Sequence, residues 1–197
     1  MKVTSLTNGA MRPMSKASPN AAGTAPFSQL LAFDKTDVLP VEDMQTWWGS
    51  SPYYAVGIYL PGSPNRSSNH TYATQDWIDA VMAQGWGLWP IWFGLQAPCV
   101  NYPGKITQFI STDPSAAAAQ GAQQADAACN AATNLGLDGS IMYFDIEPYN
   151  TQSGNCSAAV QAYIGGFVAE MHDDAPGSSV GVYGDVYVAP GLSITME

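Results

Sequence analysis

Tyr143-Phe144-Asp145-Ile146-Glu147-Pro148 holds the residues best suited to chemistry in this chain. It reads as an apolar strand ending in two carboxylates one residue apart, stopped by a proline. Strand residues i and i+2 share a face, so Asp145 and Glu147 should project together while Phe144 and Ile146 pack behind them. Two like charges that close, in partial burial, do not both ionise cheaply, so one carboxyl should keep its proton near neutral pH. That arrangement suits general acid/base work. The alternative for so short a motif is a pair of solvated loop acids.

The elements that must position this pair are visible as alternating strand and helix patterns. Residues 30–33 form a short apolar strand that delivers Asp34 at its end, and Val41, Met44, Trp47 and Trp48 mark a helix face. Thr36 and Asp37 are the nearest candidates to cap that helix. A second strand spans 53–60, and Trp77, Ile78, Val81 and Met82 stripe a second helix that stops at Gly85. The third strand, 87–95, contains Pro90, which lacks a ladder donor and should force a bend or bulge. Asp113-Pro114 starts an Ala-rich helix that should run to about Leu135, with Gly136 as its stop. A fourth strand (141–147), a fourth helix (158–171) and a fifth strand (179–188) complete the pattern.

Strands alternating with helices imply right-handed βαβ units around a parallel sheet. No strand is followed by G-x-G-x-x-G or a P-loop, which leaves a nucleotide-binding sheet without support. Acids at the carboxyl ends of strands one and four instead match the place where a (β/α)8 barrel gathers its site. The expected fold is therefore α/β, of the (β/α)8 TIM-barrel type. Only about five βα units are visible, so the barrel should be incomplete and truncated at its C-terminal side.

Composition narrows the partners. The chain has 16 acidic residues against 6 basic ones, a net charge of −10, and no Lys or Arg after Lys105. Phosphate binding needs clustered cations, so neither nucleic acid nor an anionic membrane surface is an expected partner. No apolar run approaches the ~18 residues of a membrane span, so no membrane insertion is expected. Residues 1–29 read as a flexible leader or linker without a signal-peptide core, and 30–197 as the domain. Low charge with abundant Trp, Tyr, Gly and Asn suggests an exported protein. No Cys/His spacing resembles a zinc site, and neither metal nor cofactor is expected. Cys99 and Cys156 fall just beyond predicted strands, in loops that would share one end of the fold, and could pair there. Cys129, inside the Ala-rich helix, reads as a buried thiol.

Longer stretches carry a family likeness. They are Phe33-Asp34, residues 51–62 (SPYYAVGIYLPG), residues 85–99 (GWGLWPIWFGLQAPC), Ala118-Ala119-Gln120-Gly121, Leu135-Gly136, Tyr143-Phe144-Asp145-Ile146-Glu147 and Gly181-Val182-Tyr183. In order and spacing they resemble the glycoside-hydrolase-like barrel domain known as domain of unknown function 1906, common in secreted actinobacterial proteins. The likeness covers about residues 33 to 188.

The resemblance implies a (β/α)8 barrel, export, and distant kinship with family 25 lysozymes, which cleave peptidoglycan. In those lysozymes an Asp closes the first strand and an Asp-x-Glu the fourth, so Asp34, Asp145 and Glu147 are the matching positions. Glu147 would be the general acid at a glycosidic oxygen. Asp145 would stabilise the oxocarbenium ion or orient a substrate N-acetyl group. Tyr59, Trp92 and Tyr183 lie near strand ends where sugar rings could stack, and Gln96 joins them as a candidate substrate contact. Tyr143 could hydrogen-bond the acetamido group or the Asp, or merely fill the barrel. The family often carries Cys in the loop of Gln96 and again near Cys156, which strengthens that pairing. The implied ligand is an N-acetylated cell-wall polysaccharide, either hydrolysed or, in the rival reading, only bound by a catalytically silent barrel.

Overall fold

The computed structural model describes residues 31–101, 104, 106–174 and 179–184. The expected leader and the continuation of the fifth strand past Gly184 lie outside them. Nine elements alternate: β1 (Leu31–Lys35), α1 (Val41–Ser50), β2 (Tyr53–Tyr59), α2 (Gln75–Gln84), β3 (Gly87–Trp92), α3 (Pro114–Thr133), β4 (Met142–Ile146), α4 (Gly154–Asp174) and β5 (Val180–Gly184). The strands form one sheet in the order β1-β2-β3-β4-β5, with every neighbouring pair parallel. This is an α/β fold, a partial barrel of five strands among the described residues.

Local chemistry sets the helix ends. Thr74 accepts a bond from the Trp77 amide at 3.2 Å to open α2, and Gly85 closes it with φ +106°, a left-handed conformation open to glycine. Asp113 accepts from the Ala116 amide at 2.8 Å with Pro114 at the first helical position. α1 departs from expectation, because it opens at Pro40 without a side-chain cap. Asp37 instead accepts from the Thr71 amide at 2.8 Å and contacts His70 at 3.1 Å, fastening the loop after β1 to the loop after β2.

Pro90 distorts less than its chemistry suggested. The β2–β3 register runs unbroken through the Ile58–Pro90 pair. Leu60 donates to the Ile91 carbonyl, so Ile91 turns its polar groups to β2 and Pro90, one residue earlier, turns its own toward β4. There the ladder begins only at Ile91–Tyr143. The missing N–H therefore falls where no pairing is made.

The sheet has two differently filled faces. On the helix side Phe144 packs against Tyr163 and Phe167 of α4, among the buried Val56, Ile58, Trp92 and Met142. On the inner side a Cβ at Gly57 would overlap the Trp89 indole, and one at Gly181 would overlap the Tyr143 ring. The missing side chains make room for two aromatics whose centroids lie 5.2 Å apart.

The sheet is curled. In a flat sheet β1 and β5 would lie about 19 Å apart, four strand spacings, farther than two side chains and a hydrogen bond reach. Yet the Tyr183 hydroxyl on β5 donates to Asp34 Oδ1 on β1 at 2.9 Å. Barrel-like curvature brings the first and fifth strands within reach of one another.

Gly57→Ala should therefore lower stability by about 1–3 kcal/mol through overpacking against Trp89. A Cβ at Gly49, late in α1, meets nothing within 4 Å, so Gly49→Ala should be neutral or slightly stabilising. Urea unfolding of both variants checks the contrast; equal midpoints would show that the inner face has room to spare.

Candidate active site

Five side chains gather at the carboxyl end of the sheet: Asp34 from β1, Tyr59 from β2, Asp145 from β4, Glu147 just past β4, and Tyr183 from β5. Parallel strands all point the same way, so their last residues form one rim. Asp145 and Tyr183 are register partners across β4 and β5. The Tyr59 hydroxyl donates to Asp145 Oδ2 at 3.0 Å, as Tyr183 does to Asp34.

Asp145 is only 6% exposed. Burial, and after it the nearby charge of Glu147, pushes its carboxyl from an ordinary 3.8 up to about 7; Asp34 adds to the rise, while the Tyr59 hydrogen bond and the Arg66 charge oppose it. Both tyrosines are pushed above their ordinary range, first by burial and then by the neighbouring acids. They stay protonated and act as donors at any pH the protein meets.

Arg66, in the loop after β2, is the one contributor that sequence reasoning did not single out. Its guanidinium carbon sits 4.1 Å from the centre of the Tyr59 ring and 5.6 Å from that of Tyr72, and its Nη2 donates to the Thr36 carbonyl at 2.6 Å. The available signal was its rarity, as one of six cations in a chain of 16 acids.

Two expected substrate contacts, Trp92 and Gln96, are placed differently. Trp92 is 1% exposed and donates from Nε1 to Gln124 Oε1 of α3 at 3.0 Å; it faces the helices and offers no ring to a sugar. Gln96 is fully buried, its Nε2 donating to the Asp145 carbonyl at 2.8 Å and its Oε1 accepting from the Glu147 amide at 2.7 Å. Its contacts are with β4, not with the open face. Tyr143, half-buried, packs between Trp89 and Gly181 on the inner face. Tyr59 and Tyr183 do reach the site, through their hydroxyls, and Arg66 covers one face of the Tyr59 ring.

Cys99 and Cys156 are joined in a disulfide with Cα atoms 6.2 Å apart, and Cys129 stands outside that bridge. Among the described residues no group of three His, Cys, Asp or Glu side chains is gathered to hold a metal ion. Nor is any helix among them long and apolar enough to cross a membrane.

No curated protein matches the chain. Among solved structures, a GH5-4 broad specificity endoglucanase from an uncultured bacterium aligns with 71% of this chain and 45% of its own, at 10% identity and a TM-score of 0.42. The chain thus spans less than half of that protein's length. A family model described as "Rv2525c-like, glycoside hydrolase-like domain" matches residues 45–194, and on that match the chain belongs to the Rv2525c-like family of glycoside hydrolase-like domains.

Proposed function

We propose that this domain hydrolyses an N-acetylated cell-wall glycan with Asp145 and Glu147 as a proton-sharing pair. One observation carries the reading: a nearly buried Asp145 whose carboxyl is lifted to about 7, with the charge of Glu147 among the causes, at the carboxyl rim of a barrel-like sheet. Near neutral pH Asp145, buried beside the charge of Glu147, holds a proton. Glu147 is the more exposed partner and delivers that proton to the glycosidic oxygen. The C–O bond breaks, the leaving sugar departs as an alcohol, and the positive charge at the anomeric carbon faces Asp145 and Asp34. A water then adds to that carbon and gives its proton back to the pair. The disulfide supports an exported protein, since such bonds persist outside reducing compartments.

The direct test is release of reducing ends from peptidoglycan and from N-acetylglucosamine oligomers. Wild type should cleave one of them, Glu147→Gln should lose roughly 100-fold or more, and wild-type activity should fall as pH passes about 7 and Asp145 gives up its proton. Glycan binding by both proteins without reducing ends would overturn hydrolysis in favour of a silent polysaccharide-binding barrel.

Stability carries the same signature. Folded Asp145 holds its proton up to about 7 against 3.8 for the ordinary group, so between those values the folded state binds more protons than the unfolded one. Its contribution is full below about pH 4, declines as pH rises to about 7, and is gone above. At roughly 1.4 kcal/mol per unit this reaches about 4 kcal/mol. Asp145→Asn, neutral throughout, should match wild type at pH 4 and exceed it at pH 8 in urea midpoint. Identical differences between the two proteins at both pH values would contradict the assignment.

A further inference from the structure

The β3–β4 ladder stops short of the acids it should support. β3 pairs with β4 only at Ile91–Tyr143 and Trp92–Phe144, whereas β5 accompanies β4 to Ile146–Gly184. Had β3 continued, Gly94 would have faced Ile146. In a parallel ladder such a residue donates to the carbonyl of i−1 and accepts from the amide of i+1, here Asp145 and Glu147. β3 instead turns away, and the Gly94 carbonyl accepts from Asn65 Nδ2 at 2.9 Å. The Asp145 carbonyl and the Glu147 amide are left to the Gln96 side chain, whose primary amide makes both bonds, at 2.8 and 2.7 Å.

We infer that Gln96 is a positioning residue, a side-chain stand-in for the missing rung of the β3–β4 ladder, which fixes Asp145 and Glu147 on the inner face. The inference rests on the hydrolase reading for its catalytic consequence and on the hydrogen bonds alone for its structural one. Only an amide fits, because one end must donate and the other accept. Apart from that amide, a neutral carboxylic acid of the same length comes closest: its O–H donates to Asp145 and its C=O accepts from Glu147. Ionised, the same group can only accept, and it would set a negative charge against the Asp145 carbonyl and beside two acids. Gln96 is itself held. Its backbone N–H donates to the Gln108 carbonyl and its backbone C=O accepts from the Ile110 N–H, at 3.2 and 2.9 Å. The Cys99–Cys156 bridge staples the same loop to the start of α4.

Gln96→Glu and Gln96→Met separate this role from ordinary packing. For Gln96→Glu, kcat/KM relative to wild type should lie within about threefold at pH 5 and fall by at least about tenfold by pH 8, as the introduced carboxyl ionises. Gln96→Met should lose roughly 100-fold at every pH, in kcat and not KM, as expected when reacting groups are misplaced. A Gln96→Glu ratio that ignores pH, or wild-type kcat in Gln96→Met, overturns the proposal, and the Gln96→Glu profile decides alone if Gln96→Met fails to fold. Amide hydrogen exchange tests the ladder without turnover. The Glu147 amide should exchange at least about 100-fold faster in Gln96→Met, while Phe144, which faces β5, keeps its protection. That pattern with no wild-type hydrolysis discards the enzyme reading and keeps the ladder role. Unchanged Glu147 exchange discards the ladder role whatever the activity.

Discussion

Keeping a carboxyl out of water on the inner face of a curled sheet is the demand that organises this domain. Burial is the largest influence on Asp145, ahead of every charge around it, and it is a burden the fold meets by leaving the proton in place. The strand phase decides whether that happens at all. A slip of one residue would carry Asp145 and Glu147 to the helix side, among Phe144, Tyr163 and Phe167, and away from the Tyr59 hydroxyl that holds Asp145 on the inner face. The register of β4 is therefore both the packing solution and the condition for chemistry.

That register is enforced from both edges of β4 and again beyond its end. β5 pairs with its whole length. Past Glu147 the chain is tied back to the loop after β3 by the Asn101 amide on the Pro148 carbonyl, the Asn150 amide on the Cys99 carbonyl, and the disulfide. Asn65, from the loop after β2, adds bonds to the Gly94 and Gln108 carbonyls. Loops bear the site, as is common where a scaffold must present reactive groups. Here the loops after β1, β2, β3 and β4 are each bonded to the next.

The order and type of all nine elements were legible because strand and helix periods alternate and punctuation residues sit where physics needs them. Thr74, Gly85 and Asp113-Pro114 behave as their chemistry says. The Asp-x-Glu face was legible too, since period two within one short strand leaves little to misread. Trp92 was not. β3 is apolar on both faces, as a strand buried on both sides should be, so Trp89 and Trp92 look alike in sequence although one lines the inner face and the other meets Gln124. Gln96 was misread for a related reason: the strand ends at Trp92 and not near Leu95, so alternation no longer predicts where its side chain points. The capping role offered to Asp37 failed because a tertiary partner, the loop at His70 and Thr71, outcompeted the local one.

The handling of Arg66 explains why the site can hold a proton at all. A guanidinium paired directly with Asp145 would favour the carboxylate and draw its pKa down, leaving an acid with nothing to give. Arg66 instead bonds the Thr36 carbonyl and lies against Tyr59 and Tyr72. Its pull on Asp145 is the weakest of the named influences. The cation thus acts at one remove, steadying the ring whose hydroxyl holds the carboxyl, and burial prevails. Tyr59 serves as a rigid spacer between a positive charge and an acid that must not be neutralised by it.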